Sequence, residues 1–314
     1  MNKLVLCVAL LSATVIGESN AWGAAMGSST QSVIPGDVQQ IISVDYRVLS
    51  NSPTAQALKD QVLPQNLKQF EGSLRAVGIY PEKQLEKLTF ASFRSGKQGL
   101  KMVGIAEGQF TERAVLKKFR VKKIRPTMYN SSALYPMGEG MTMSFLDPST
   151  LLFGDSVAVK QALDSRDGNS PNLQSNSEFA DLIGGVESEP VWSVLDSAGT
   201  QTMMRSALGQ AAQLADYNAV KKRLLGSRYV MNFSSGVNFD LDVLTSDSMM
   251  ASTLANVVKA GMMYRKMGAT PTEKLAIDSM TVDSDSSTLK LHFRTDDNRF
   301  QSLLHSDLFA AVSR

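Results

Sequence analysis

Three times along the chain, two short apolar-rich runs flank a loop of small and polar residues. Leu88 to Arg94 and Leu100 to Glu107 surround Ser95-Gly96-Lys97-Gln98-Gly99. Arg228 to Phe233 and Val237 to Leu244 surround Ser234-Ser235-Gly236, and Ile277 to Val282 and Thr288 to Phe293 surround Asp283 to Ser287. Strands joined by so few residues pair antiparallel, because a parallel crossover needs a dozen or more. The chain is therefore predicted to rest on antiparallel hairpins, with amphipathic helices covering them.

The order of the remaining elements suggests one unit used twice. Ile41 to Leu49 reads as a strand, and Ser52-Pro53 opens a helix, since Ser caps free N–H groups and Pro suits the first helical position. After the first hairpin, Thr111 is placed to cap a helix through Val115 and Phe119. Leu134 to Met137, Met141 to Leu146 and Thr150 to Gly154 read as strands, followed by a helix from Asp155-Ser156. In the second half, Val191 to Leu195 reads as a strand and Ala198 to Leu225 as a helix stopped by Gly226. Ser246-Asp247 caps a long helix to Gly268, and Arg299 to Leu308 is a final helix. Matching elements (Leu88 with Arg228, Thr111 with Ser246, Ala133 with Ile277) lie about 140 residues apart. The expected class is α+β: two similar units, each a mostly antiparallel sheet covered by helices. The boundaries are a signal peptide at 1–21, a flexible leader at 22–32, a first unit at 33–165, a polar junction at 166–177 and a second unit at 178–314.

Ile34-Pro35-Gly36-Asp37, a strand, and then a Ser-Pro helix start resemble the opening of bacterial exported proteins of unknown function built from duplicated α+β units. Their units also close with an apolar strand, a Gly and a capped helix, as in Leu151-Leu152-Phe153-Gly154-Asp155-Ser156. The second unit has Pro190 before its strand but lacks the Pro-x-Asp form. The resemblance implies a fold over most of the mature chain and no reaction.

Met1-Asn2-Lys3, the thirteen-residue apolar run Leu4 to Ile16, and Ser19-Asn20-Ala21 together read as an export signal cut near Ala21, with Ala24-Ala25 as second choice. Such a run is short for a bilayer span, which takes about 20 residues, and no other segment is apolar enough for a transmembrane helix. The single cysteine, Cys7, lies inside this run behind Leu6, where lipid attachment would want a small residue. The exported chain would then be cysteine-free in an oxidising compartment, periplasmic or extracellular, and must fold without disulfides. A net charge of +2 gives no general pull toward nucleic acid, and two histidines without cysteines argue against zinc or iron–sulfur chemistry. No cofactor is expected.

Few constellations could carry chemistry. Phe153-Gly154-Asp155-Ser156 is similar to the nucleophile block of GDSL esterases, but it lies mid-chain, and the residue three before His305 is Ser302 where those enzymes need Asp. Strand ending and helix capping explain it better. His292 alternates within a strand, and Asp240 with Asp242 share a strand face. Asp283 and Asp285 lack the Gly and Glu of a calcium loop, with Thr288 and Arg294 in those places. Two features remain as binding candidates. One is the basic run Arg113, Lys117, Lys118, Arg120, Lys122, Lys123 and Arg125, suited to an anionic head group, phosphate or acidic partner, or simply to a solvated helix and a lysine-guarded edge. The other is the methionine-bearing helix face of Met250, Met262 and Met263, suited to core packing or to an adaptable apolar groove. The expectation is an exported envelope binding protein without catalysis, whose partner is an envelope protein or an amphiphilic small ligand. A carrier or sensor of an apolar ligand, and a hydrolase using His292 or His305, are the alternatives.

Overall fold

The computed structural model describes residues 25–50, 71–72, 74–76, 78–138, 140–208, 217–233 and 236–304. The export signal with Cys7, the Ser52-Pro53 helix start and His305 fall outside them. Twelve strands are described: β1 (Val38–Asp45), β2 (Leu85–Arg94), β3 (Leu100–Gly108), β4 (Thr127–Tyr129), β5 (Ser132–Gly138), β6 (Met141–Asp147), β7 (Thr150–Asp155), β8 (Val191–Asp196), β9 (Leu224–Asn232), β10 (Val237–Thr245), β11 (Met280–Asp285) and β12 (Thr288–Thr295). The principal helices are α1 (Ser28–Val33), α2 (Glu112–Val121), α3 (Ser156–Arg166), α4 (Ser177–Gly184), α5 (Ser197–Leu208), α6 (Ser248–Gly268), α7 (Pro271–Asp278) and α8 (Asp297–Leu304).

All twelve strands form one sheet in the order β11-β12-β10-β9-β8-β1-β2-β3-β7-β6-β5-β4. Every pairing is antiparallel, as the short loops require. From the centre outward the order is β1-β2-β3-β7-β6-β5-β4 on one side and β8-β9-β10-β12-β11 on the other, so the first side repeats the second and adds β5 and β4 at its end. The halves meet where β1 pairs with β8, Ile41 opposite Val194.

Side-chain alternation gives the sheet two unlike faces. On the front face, Ile42, Phe90, Leu151, Phe153, Met231 and Phe293 share one apolar cluster with Val115 and Phe119 of α2 and Phe300 of α8. That cluster runs on to Tyr229, Leu241 and Leu289 beneath α5 and α6. On the back face, α1, α3 and α4 bury Ile41, Phe93, Ile105, Leu152, Trp192 and Val194. Beyond β9 the back face carries the half-buried polar side chains of Asp240, Asp242, Lys290 and His292. The central strands β1 and β8 are thus buried on both sides, and their sequences VQQIISVD and VWSVLD show runs rather than strict alternation.

Several expectations need correction. Residues 25–32 of the expected leader are held in place: Met26, Thr30 and Val33 are buried, Thr30 bonds to Glu107, and the Lys87 ammonium donates to the Ala25 carbonyl at 3.2 Å. The polar junction is tied to the start of the chain, with Gly36 N–H on the Pro171 carbonyl and Leu173 N–H on the Ile34 carbonyl. The first strand begins at Val38 and ends at Asp45, whose carboxylate accepts from the Arg47 and Val48 amides and turns the chain into a helical segment. Gly226 sits inside β9 instead of ending a helix, paired with Asp196 and Leu244, where a Cβ would lie 3.1 Å from the Leu195 carbonyl and 3.2 Å from Leu182. Ile277 is helical: Thr270 and Glu273 close a capping box, with Pro271 at the first position, and start α7 in front of β11.

Candidate functional site

The basic run folds as the sequence suggested, but it enters the sheet later. Glu112 to Val121 form α2, whose Val115 and Phe119 point inward, and Phe119 stacks on Tyr135 with centroids 4.6 Å apart. Thr111 precedes the helix without a side-chain cap. Lys122 and Lys123 belong to the turn that follows, with Lys123 in the left-handed region at φ 57°, and the chain reaches β4 only at Thr127. β4 is the outermost strand of the sheet.

Arg113, Lys117, Lys118, Arg120, Lys122, Lys123 and Arg125 are all exposed. Among the described residues none of them makes an ion pair. Glu112 opens α2 beside Arg113, and the two carboxylates of the neighbouring α3 are committed elsewhere. Asp164 accepts from the Tyr129 hydroxyl at 2.9 Å and from Asn130, and Asp167 accepts from Asn130 and Arg166. These bonds fasten the β4–β5 hairpin to α3 and leave the cations facing outward. Lys118 lies over Gly78, whose added Cβ would fall 2.0 Å from the ammonium. Part of the run also serves α2 itself, since Lys118 and Arg120 oppose the negative end of the helix dipole. Two apolar side chains stand out among the cations, Val121 at 76% and Met128 at 65% exposure. The alternation of β4 and β5 sets Met128 opposite Ala133, on the same sheet face as Tyr135 and α2.

The methionine face divides. Met262 packs against the cluster under α6 and Met250 is half-buried, whereas Met263 is exposed with Met249, Tyr264 and Met267. Core packing therefore accounts for Met262, and the outer side of α6 carries unburied thioethers.

Asp155 does the work of a cap. Its Oδ1 accepts from the amides of Val157 and Ala158, both at 2.9 Å. Ser156 is the first residue of α3. One pairing was not readable from the chain: the Nδ1 of His292 bonds to the Asp240 carboxylate across β10 and β12, and Asp242 beside it takes the Arg228 guanidinium at 3.0 Å. The clue was there in the alternation of Asp240 and Asp242, but register between strands 52 residues apart is set by the fold. No cluster of three or more His, Cys, Asp or Glu suited to a metal occurs among the described residues. None of their helices is long and apolar enough to cross a membrane.

The fold resembles that of TP0453. Crystal form I of this Treponema protein overlays with a TM-score of 0.52, covering 90% of this chain and 96% of that chain at 9% identity. Crystal form IV gives a TM-score of 0.47 over 92% and 100% at 10% identity. At such identity the likeness concerns the fold alone. No protein family matches the sequence, and no curated protein does.

Proposed function

We propose that the chain is an exported, non-enzymatic binding protein of the bacterial cell envelope, built from two copies of one α+β unit. The strand orders on either side of the β1–β8 pair correspond over their first five strands, β5 and β4 being extra on one side, and this supports the duplication. The Met1 to Ala21 pattern supports export. The observation that carries the binding reading is the exposed basic corner. Glu112 stands in the first turn of the same helix without an ion pair among the described residues, and Asp164 and Asp167 below β4 are held by Tyr129, Asn130 and Arg166. A surface that leaves its own cations unmatched, with Val121 and Met128 among them, suits an anionic partner with an apolar component.

The test is crosslinking in envelope extracts with the full chain and with a Lys117→Glu, Lys122→Glu, Arg125→Glu variant. A stoichiometric partner that is captured by the first and lost by the second supports the reading; equal capture by both refutes it. The exposed methionines of α6 favour a second reading, a carrier of an amphiphilic ligand. Native mass spectrometry then shows a co-purifying lipid mass, and a clean apo mass after lipid challenge removes that reading. A hydrolase reading would rest on His292, beside Asp240, or on His305, and a hydrolytic activity that survives His292→Ala together with His305→Ala would dispose of it.

A further inference from the structure

We propose that β11, at the far end of the sheet from the basic corner, is a strand-addition site for an extended basic segment of another protein. This concerns a different surface and stands apart from the reading above. The two ends of the sheet are guarded unequally. At one end β4 has three residues, follows Pro126 and lies beside Lys122 and Lys123. Shortness, proline and lysine are the usual defences of an edge. At the other end β11 has six residues, none of them Pro or Lys.

Register shows which groups of β11 are open. The β11–β12 hairpin turns through Ser286 and Ser287, so Asp285 and Thr288 form its closing hydrogen-bonded pair. Alternation then turns the N–H and C=O of Ser284, Val282 and Met280 away from β12, toward the free edge. The Ser284 amide is taken by the Asp283 carboxylate at 2.8 Å. Val282 and Met280 make no further backbone hydrogen bond among the described residues, which leaves theirs for a further strand.

Charge selects the occupant. On the back face, one cross-strand row runs Asp283, Lys290, Asp242, Arg228. The signs alternate, and the row stops at the edge on Asp283, which makes no ion pair among the described residues. An added strand with Lys or Arg opposite Asp283 continues the alternation, and opposite charges in directly facing positions favour sheet pairing. Two β11 edges meeting each other would instead crowd Asp283 and Asp285 of both copies together. Self-pairing through this edge is thereby disfavoured, and a basic strand is admitted.

The probe is a nine-residue peptide alternating Lys with Val, titrated against the full chain by fluorescence anisotropy. Its control is a twin of equal charge, N-methylated at successive amides. The peptide should bind about tenfold or more tighter than the twin, and Asp283→Lys should weaken it by about as much while improving binding of the Glu-Val counterpart. Asp283→Asn, which removes charge without reversing it, should fall between. Equal binding of the twin would reduce the effect to charge alone and overturn the proposal, as would indifference to Asp283→Lys. Light scattering on the full chain tests the occupant: concentration-dependent growth that Asp283→Lys abolishes would assign the edge to another copy of this chain and overturn the choice of a foreign strand.

Discussion

Gly104 is opposite Phe90 on one side and Phe153 on the other. The two rings meet edge to face above it, centroids 6.1 Å apart, and a Cβ at Gly104 would fall 2.1 Å from the Phe153 ring. Gly104→Val should therefore lower stability by about 3 kcal/mol in urea unfolding, through overpacking of a rigid site. Tyr229 poses the opposite problem. It is fully buried, and its hydroxyl makes no well-formed hydrogen bond among the described residues, with only the Ser193 hydroxyl of the facing strand close enough to interact. Burial pushes its phenol well above the ordinary range, with Ser193 nearby drawing it slightly back. Above the unfolded value of about 10, the folded chain keeps a proton that the unfolded chain has lost. The associated stability is complete below pH 10 and drains as the pH climbs further; Tyr46 and Tyr217 shift the same way, chiefly through burial. Tyr229→Phe should raise stability at pH 7 by about 1 kcal/mol, because it removes an unsatisfied buried hydroxyl, and should flatten the alkaline loss. Urea midpoints for both chains at pH 7, 9 and 11 check both claims, and a destabilised Phe variant would contradict them.

Among the elements, α6 is the most informative. Asp247 caps it through the Met250 amide at 2.9 Å, and Leu254, Val257 and Val258 bury its inner side. Met249, Met263 and Met267 stand outside, while Met143, Met203 and Met204 are enclosed. Limited peroxide treatment followed by peptide mass spectrometry should oxidise the first three well before the second three. Comparable rates would mean that a partner or a rearrangement covers the outer side. The hairpins were legible because β2, β3, β9, β10 and β12 each bound a loop of turn residues. Their exact ends were less so. Leu224-Leu225-Gly226 looks like a helix finish, yet it is strand, paired with β8 and β10, and the tight approach of Leu195 and Leu182 that favours a glycine there comes from elsewhere in the chain. Ile277 has the apolar character of a strand residue, and the Thr270–Glu273 capping box outweighs it. At the candidate site the run of cations could be read directly. Their lack of partners could not, because it depends on Asp164 and Asp167 being held by a hairpin more than thirty residues away in sequence.

At the scale of the molecule, the sheet is continuous through its middle. Gln40 donates to Ser193, Ser193 donates to the Ile41 carbonyl at 2.8 Å, and Arg94 reaches both Asp37 and Asp196 across the join. Such a join should make the halves unfold together. Far-UV circular dichroism and the emission of buried Trp192 should give coincident urea transitions, and two separated transitions would show that the halves melt independently. The same join has a consequence in time. Gln40 and Ser193 are 153 residues apart, although their strands are neighbours at the centre. Synthesis runs from the amino end at some 5–20 residues per second, so β1 waits on the order of ten seconds for β8 to exist. During that interval the strand destined for the middle is itself an edge, apolar on both sides, and the growing chain is most open to mispairing at the place that is best protected once it is finished.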